Sequence, residues 1–520
     1  MTLLFGGLTI KHEFLIHGAL HGLGYRNQIL PTPTVASFQL GKEYGNNGQC
    51  NPTYFTVGNL VKHLQHLRDV EKVPAEEIKR NYVYLTAGAC GPCRFGMYEA
   101  EYRLALRNAG FDGFRVILFQ QSGGLNQVEA EAGLEMNMNF FTGLLSAFNL
   151  GDLVNEICNQ IRPYEVEDGA TQAALDWSLH YLHDVLRRKR CYELGTRLRR
   201  LLEGAPKLAE IVEGIGKLMA QLRATDLTDA LRVVGERFNE IEIDRLRVKP
   251  LTKITGEFWA QTTEGDGNFN MFRFLEREGS EVLVEPVATW ITYMLHQARQ
   301  SLDDRRGLDD AAQLRQRPGL RPRLRGAWEY RRDAALLSLA GRLFQREYDR
   351  LRRALGGTGH ELVCQRQMQR LGHPFYNSRA SGGEGHLEVA KNIYYSNKDL
   401  AHFVLSLKPF GCMPSTQSDG AQSAVVSLYK DMLFLPIETS GEGEINAQSR
   451  VQMALGEAKA KAKAEFARVR EEIPFTLDEV RAYVNRHDEL RRPLSRVPRH
   501  PGVIGTAANF LKHVAERMAA

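Results

Sequence analysis

Residues 81–121 read NYVYLTAGACGPCRFGMYEAEYRLALRNAGFDGFRVILFQQ, and they give the clearest indication of the fold class. The segment 81–88 is rich in β-branched and aromatic residues, which predicts a strand. The segment 95–110 has apolar residues at helical spacing and ends at Gly110, whereas 114–121 predicts another strand. Two strands joined by one helix are typical of a βαβ unit, so we expect a parallel sheet.

The same alternation of strands and helices extends back to the N-terminus. Residues 2–7, TLLFGG, predict a strand, and residues 12–25 predict a helix. A short strand is expected at 36–40, ASFQL, and a further helix at 55–70. We therefore predict an α/β lobe at the N-terminal end of the chain.

The rest of the chain is expected to form a helical insertion and a second lobe. Helical periodicity follows the first lobe, and strand patterns then return in LTKITGEFW (251–259) and HFVLSLKPF (402–410). The predicted fold class is α/β, with two or more Rossmann-like parallel-sheet lobes. The predicted divisions are an N-terminal lobe at 1–150, a helical segment at 151–245, a second lobe at 246–475 with a charged insertion at about 303–355, and a basic C-terminal tail at 476–520.

The composition excludes several classes of protein. The chain has 520 residues, of which 43% are hydrophobic and 25% charged, which excludes collagen-like repeats and wholesale disorder. The net charge of +5 is too small to predict a nucleic-acid partner. Because no apolar run approaches the ~18 residues of a membrane span, we expect no membrane partner. The absence of a signal-peptide pattern and the odd number of cysteines, seven, predict a cytoplasmic, reducing location.

Four of the cysteines share one kind of sequence setting. Cys50, Cys90, Cys93 and Cys412 each lie in a turn bordered by glycine or proline near a predicted strand end. Strand ends of parallel sheets line the ligand-binding crevice, and helix starts there favour thiolates. The other three lie inside helical patterns, where packing is the expected role: Cys158, Cys191 and Cys364.

Three chemistries are compatible with these four cysteines. The string CGPC at 90–93 is the motif of thioredoxin-like thiol–disulfide exchange, although Ala89 replaces the usual aromatic residue before it. A zinc site would need a second ligand pair, for which only His17/His21 and His63/His66 have helical spacing. The third is an iron–sulfur cluster held by Cys50, Cys412 and one or both of Cys90 and Cys93, in a cleft between the lobes.

Four blocks of the sequence resemble a known superfamily. They are GQCNPTYFTVGNLVKHL (48–64), ACGPCRFGMYEAEYRLAL (89–106), LKPFGCMPSTQSDGAQS (407–423) and LPIETSGEGEINAQSRVQMALGEA (435–458). Together they resemble the 2-hydroxyacyl-CoA dehydratase and benzoyl-CoA reductase superfamily. The likeness is greatest to its branch fused to or associated with acyl-CoA dehydratase activases, which is related to the double-cubane cluster proteins.

The resemblance implies a ligand set and a cofactor. Cys50, Cys93 and Cys412 are implied to bind iron, with Cys90 as a further candidate. This chain has two cysteines in the second block where the simpler dehydratase subunits have one, which leaves open whether Cys90 or Cys93 is the ligand. The implied cofactor is a [4Fe-4S] or a double-cubane [8Fe-9S] iron–sulfur cluster. The polar residues Glu438, Ser440 and Arg450 are candidates for lining the cleft; the alternatives are a loop cap for Ser440 and a surface ion pair for Arg450.

The resemblance also implies a role. It implies an oxygen-sensitive, homodimeric reductase or dehydratase component that acts on a small substrate, with an acyl-CoA among the options. The electron would come from an ATP-hydrolysing activase with an actin/Hsp70-like fold and its own [4Fe-4S] cluster, since the sequence contains no phosphate loop of the activase type. The alternative is a non-catalytic, cluster-carrying scaffold for electron transfer.

Overall fold

The computed structural model describes residues 1–88, 93–120, 137–189, 206–306, 320–380 and 382–520. These residues contain two four-stranded sheets, in which every strand pair is parallel. The first sheet comprises β1 (Thr2–Phe5), β2 (Asn27–Ile29), β3 (Tyr82–Gly88) and β4 (Arg115–Gln120). The second comprises β5 (Leu251–Gly256), β6 (Glu281–Leu283), β7 (Phe403–Pro409) and β8 (Phe434–Thr439). The expected α/β class with two parallel-sheet lobes is confirmed.

Helices connect and cover the two sheets. In the first half of the chain they are α1 (Ile10–Gly22), α2 (Val35–Tyr44), α3 (Asn51–Asp69), α4 (Ala75–Asn81), α5 (Tyr98–Asn108), α6 (Met138–Ile161), α7 (Ala170–Arg188), α8 (Pro206–Arg223) and α9 (Asp226–Asn239). In the second half they are α10 (Phe258–Thr262), α11 (Met271–Arg277), α12 (Val287–Asp304), α13 (Leu320–Ala354), α14 (Gln365–Gly372), α15 (Gly385–Asn397), α16 (Met413–Leu428), α17 (Glu444–Glu472), α18 (Leu477–Arg486), α19 (Asp488–Arg491) and α20 (Thr506–Ala519). Short 3-10 helices occupy Arg94–Met97, Arg162–Tyr164 and Asp266–Asn268.

The two sheets have the same topology. The strand order is β2-β1-β3-β4 in the first and β6-β5-β7-β8 in the second. In this doubly wound order the direction in which strands are added to the sheet switches between the first and third strands of each lobe. Ligands of such folds bind outside the carboxyl ends of the strands at this switch point. Cys93 and Cys412 both follow the third strand of their sheet, so the two lobes place these cysteines at equivalent positions.

One predicted strand is wrong. Residues 36–40, ASFQL, belong to helix α2, and the second strand of the first sheet is β2, at Asn27–Ile29. A reciprocal capping box between Thr34 and Ser37 starts this helix, which packs along α3. The capping pattern and the packing of Phe38 against α3 therefore outweigh the modest β-propensity of the five residues.

The residues between and beyond the lobes are mostly helical. Helices α6 to α9 confirm the helical pattern after residue 150, and α6, α7 and α9 share a core with the first lobe. The last 45 residues include helices α18 and α20, which pack on α17 around Phe510 and Leu511. The divisions at 150, 245 and 475 stay predictions. No helix in the described part of the chain is long and apolar enough to cross a bilayer.

The turn after β1 is closed by a carboxylate from the chain itself. Glu13 Oε1 accepts hydrogen bonds from the backbone N–H groups of Gly7 (2.7 Å) and Leu8 (2.9 Å). In nucleotide-binding α/β folds the N–H groups of this turn receive a phosphate. Here Glu13 occupies those donors, and burial raises its pKa to about 8.

Glu13→Gln is expected to flatten the pH dependence of stability. Because the pKa of folded Glu13 lies above the ordinary value of 4.5, the folded chain retains a proton that the unfolded chain releases. The free energy of unfolding should therefore fall as the pH rises from about 4.5 to 8, by an amount on the order of a few kcal/mol from this group. Urea unfolding at pH 5 and pH 8 measures the fall, which should be smaller in Glu13→Gln. The exposed Glu76→Gln is the control, and equal falls in all three proteins would contradict the assignment.

Candidate metal centre

Each of the three described cysteines from the predicted set precedes the first turn of a helix. Cys50 is the N-cap residue of α3, Cys93 precedes the 3-10 helix Arg94–Met97, and Cys412 is the N-cap residue of α16. The free N–H groups of a helix start favour negative charge, which suits a thiolate that binds metal. The expected helix start is therefore found at all three cysteines, whereas the expected strand end is found at Cys93 and Cys412 but is wrong for Cys50, whose turn follows helix α2.

The turns that carry Cys50 and Cys412 touch each other across the two lobes. Gly411 has a φ of +74°, and a Cβ built there would lie 3.3 Å from the Cα of Cys50. The backbone N–H of Asn51 donates to the carbonyl oxygen of Phe410 at 3.0 Å. A glycine is needed at 411 both for this left-handed backbone and for the close approach of Cys50.

Cys93 reaches the same place through a glycine pair. Its backbone N–H donates to the carbonyl oxygen of Gly382 at 3.2 Å. A Cβ built on Gly383 would lie 3.7 Å from the Cβ of Cys93 and 2.5 Å from Cγ of Pro414, two residues after Cys412. Gly383 therefore lies between the turns of Cys93 and Cys412, and all three cysteine turns converge where the lobes meet.

Three glutamates surround this convergence. Glu257 caps α10, with its Oε2 accepting from the N–H of Ala260 at 2.9 Å. Glu384, which is buried, accepts from the N–H of Phe258. Glu388 is fully buried and accepts from Oγ of Ser415 at 2.9 Å. These carboxylates are supplied by the second lobe, next to the turns of Cys93 and Cys412.

Burial and the nearby glutamates both oppose a negative charge on the cysteine sulfurs. Burial, and after it repulsion from Glu257 and Glu384, raises the pKa of the Cys412 thiol. Burial and the same two carboxylates also raise the pKa of Cys93. Burial also raises the pKa of Glu257 and of Glu384, and repulsion from Glu257 raises the pKa of Glu384 further. A thiolate at this place is therefore costly unless a cation or metal balances its charge.

The sulfur of Cys50 has two hydroxyl neighbours. It lies 3.1 Å from Oγ1 of Thr53 and 3.2 Å from Oη of Tyr98. Because a thiolate can only accept, both hydroxyls would donate to Cys50 when its sulfur carries charge. Hydrogen bonds to ligand sulfurs are one of the means by which proteins set the reduction potential of an iron–sulfur cluster.

The donor set fits an iron–sulfur cluster. Cysteine thiolates are the usual ligands, and each binds a different iron, so the ligand sulfurs are spaced more widely than the ligands of one ion. Within the described ranges no three His, Cys, Asp or Glu side chains are spaced to hold a single ion. At Gly383 and Gly411 the cysteine turns approach so closely that a side chain at either position would press against Pro414 or Cys50. Cys90 lies outside the described residues.

The structure does not bring the other predicted cleft residues to the cysteines by any described contact. Glu438 is exposed on β8. Ser440 hydrogen-bonds with the backbone of Glu442 in its own turn, which is the loop-cap alternative. Arg450 donates to the carbonyl oxygen of Pro436 at 3.3 Å on the surface. Their assignment to the site stays a prediction.

Neither the other described cysteines nor the histidines of the two predicted pairs belong to a group that could hold a metal ion within the described residues. Cys158 is buried in the core of α6, as expected, whereas Cys364 is an exposed N-cap residue and not part of a helix interior. Cys191 lies outside the described residues. His17 contacts His183 on α7, with Nδ1 and Nε2 2.9 Å apart, and His63 is buried in α3.

Sequence reasoning missed the three glutamates. Glu257 could have been predicted in the same way as the cysteines, because it directly follows strand β5 and residues after the strands of a parallel sheet line the crevice. Glu384 and Glu388 follow the glycines of SGGEGH (381–386), a stretch that matches no recognised motif. Comparison of the chain with protein-family models and with curated proteins finds no match.

Proposed function

We propose that this chain is an iron–sulfur reductase or dehydratase component, with Cys50, Cys93 and Cys412 as cluster ligands. The observation that carries the proposal is the convergence of three cysteine turns, from two lobes, at the carboxyl ends of β3 and β7. When bound, a [4Fe-4S] or double-cubane cluster supplies one-electron chemistry. The sequence resemblance to the 2-hydroxyacyl-CoA dehydratase superfamily points to the same role.

The chain's own residues would set how difficult the centre is to reduce. Negative charge near a cluster disfavours the addition of an electron, so Glu257, Glu384 and Glu388 would lower the reduction potential. The hydroxyls of Thr53 and Tyr98 would raise the reduction potential by donating hydrogen bonds to the sulfur of Cys50. The lowering requires Glu257 and Glu384 to be ionised, and burial raises the pKa of both, whereas Glu388 lies 3.8 Å from the ammonium of Lys408. The ionisation of Glu257 and Glu384 therefore decides how low the potential lies.

A low potential would explain the expected partner. An electron donor of ordinary potential could not reduce such a centre. An activase could do so if ATP hydrolysis drives its docking and the transfer of the electron. The turn after β1 has its backbone donors occupied by Glu13, which is consistent with ATP being bound by the partner. Exposed apolar side chains flank the cysteine turns, at Met97, Phe410 and Met413, and would suit close docking of a protein.

The raised pKa of Cys93 counts against Cys93 as the attacking thiol of thiol–disulfide exchange. Exchange needs a thiolate at neutral pH, and the reactive cysteines of such proteins have a lowered pKa. Burial and the nearby carboxylates instead raise the pKa of Cys93. A metal, in contrast, stabilises the thiolate by coordination.

Anaerobic purification followed by iron and sulfide analysis tests the proposal. We expect a brown protein with at least about four irons per chain. An activase of the actin/Hsp70-like class, ATP and a chemical reductant should then transfer an electron only while ATP is hydrolysed. Turnover of a 2-hydroxyacyl-CoA would establish an enzyme, whereas ATP-dependent reduction without turnover of any small substrate would favour the scaffold. A colourless protein that takes up no iron on reconstitution would refute both.

A further inference from the structure

Helix α13 exposes a stripe of large apolar side chains that is distant in sequence from the three proposed ligand cysteines. Leu324, Trp328, Leu336 and Leu339 are 63%, 62%, 57% and 46% exposed. Their spacing of four, eight and three residues places them on one side of a helix with 3.6 residues per turn. Such a contiguous exposed apolar stripe is uncommon on a protein surface and indicates that something covers it.

The stripe lies opposite the side by which α13 is attached to the protein. Tyr330 Oη donates to Oδ1 of Asp303 on α12 at 2.7 Å, and Phe344 packs against the core of the first lobe. Leu339 is nine residues after Tyr330, which is two and a half helical turns, so the two side chains point in opposite directions. The apolar stripe is therefore held outward by a rigid helix pair.

The charge of this outward surface is positive. Between residues 324 and 346 the helix has five arginines and two acidic residues, a net charge of +3. All five arginines are exposed, at Arg325, Arg331, Arg332, Arg342 and Arg346. Arg332 also stacks over the ring of Trp328, 5.3 Å from its centre. The surface thus combines apolar side chains, one tryptophan and an excess of arginine.

We propose that this outward side of α13, residues 324–346, docks on an anionic lipid surface. Arginine together with tryptophan and leucine is the composition of helices that lie in the interface of a bilayer, with the apolar residues below the headgroups. The arginines would bind lipid phosphates, which are delocalised over the surface and need no matching pattern of acids. This docking is independent of the proposed redox function, and it adds a membrane partner that the sequence expectation had left out.

The geometry favours a flat lipid surface over the groove of an acidic protein. Proteins that bind basic amphipathic helices enclose the helix in a groove. Here α12 and the core already cover the back of α13, and only one side is free. A second copy of the chain is a poor occupant, because the arginines of two such surfaces would repel each other.

Vesicle binding tests the proposal directly. The anaerobically purified full-length chain is sedimented with vesicles of phosphatidylcholine alone, or of phosphatidylcholine with about one-third phosphatidylglycerol. We expect binding only to the anionic vesicles, weakening as salt is added, with a blue shift of tryptophan emission. Trp328→Phe should keep the binding and lose most of the shift, since it is one of only four tryptophans.

Matched variants separate this surface from non-specific attraction. Arg331→Gln/Arg342→Gln/Arg346→Gln should weaken binding about a hundredfold, at roughly fivefold per arginine. Leu336→Ser/Leu339→Ser should weaken it at least about tenfold. Met453→Ser and Arg481→Gln, on exposed parts of α17 and α18, should leave binding unchanged. Failure to bind anionic vesicles, or equal binding by all variants, overturns the proposal. Binding to calmodulin but not to vesicles overturns it in favour of an acidic protein partner.

Discussion

Cys412→Ser is expected to remove most of the iron from the anaerobically purified protein while leaving the fold intact. A serine hydroxyl is nearly the size of the thiol, so the buried turn before α16 should keep its shape. It is a far poorer ligand for iron than a thiolate, and the ligands left among the described cysteines, Cys50 and Cys93, both belong to the first lobe. Iron and sulfide content per chain, with the visible absorption, measures the loss.

Cys364→Ser provides the matched control, because Cys364 is the exposed cysteine at the start of α14. We expect its iron content to equal that of the unmodified chain. Melting temperatures of the metal-free proteins should agree to within about two degrees, which shows that Cys412→Ser folds. Unchanged iron in Cys412→Ser, or the same loss in Cys364→Ser, would count against the ligand assignment.

The candidate site was predictable from the sequence to the extent that it follows strand ends. In a parallel α/β lobe, the residue after a strand is placed at the carboxyl edge of the sheet, and so Cys93 and Cys412 could be assigned to one crevice. Cys50 follows no strand, because α2 precedes its turn. It reaches the crevice through the contact of its turn with Gly411, which no local pattern predicts.

The parts that could not be predicted depend on long-range packing. The helix at ASFQL arises from a capping box and from its packing on α3, and both outweigh a weak strand preference. Glu384 lies beside the cysteine turns because its loop contacts Cys93 of the first lobe through Gly382. Its carboxylate also accepts a hydrogen bond from the N–H of Phe258, which is 126 residues away in the sequence. Periodicity gives the element types, whereas contacts of this kind are fixed only when the lobes pack together.

Asp152→Asn is expected to loosen the junction of the two lobes. The buried carboxylate of Asp152, on α6, accepts from Nε2 of His12 at 3.0 Å. It also accepts from the backbone N–H groups of Val287 at 2.7 Å and Ala288 at 2.8 Å, at the start of α12. One side chain of α6 thus joins α1 of the first lobe to α12 of the second.

An asparagine cannot replace this carboxylate, because it has one oxygen for three donors and its amide would face an N–H group. Leaving a buried donor unsatisfied and removing a charge-assisted bond should lower the free energy of unfolding by about 3 kcal/mol. Urea unfolding of the metal-free protein measures the change. The control is Asp176→Asn on the exposed side of α7, which should change stability by less than about 0.5 kcal/mol.

The same substitution should also accelerate the loss of iron, although Asp152 is not a ligand. The proposed ligands are divided between the lobes, so any opening of the junction separates Cys412 from Cys50 and Cys93. Transfer of iron to a chelator under anaerobic conditions should be at least about tenfold faster in Asp152→Asn than in Asp176→Asn. Lower stability with an unchanged rate of iron release would mean that the junction at Asp152 opens independently of the cysteine turns.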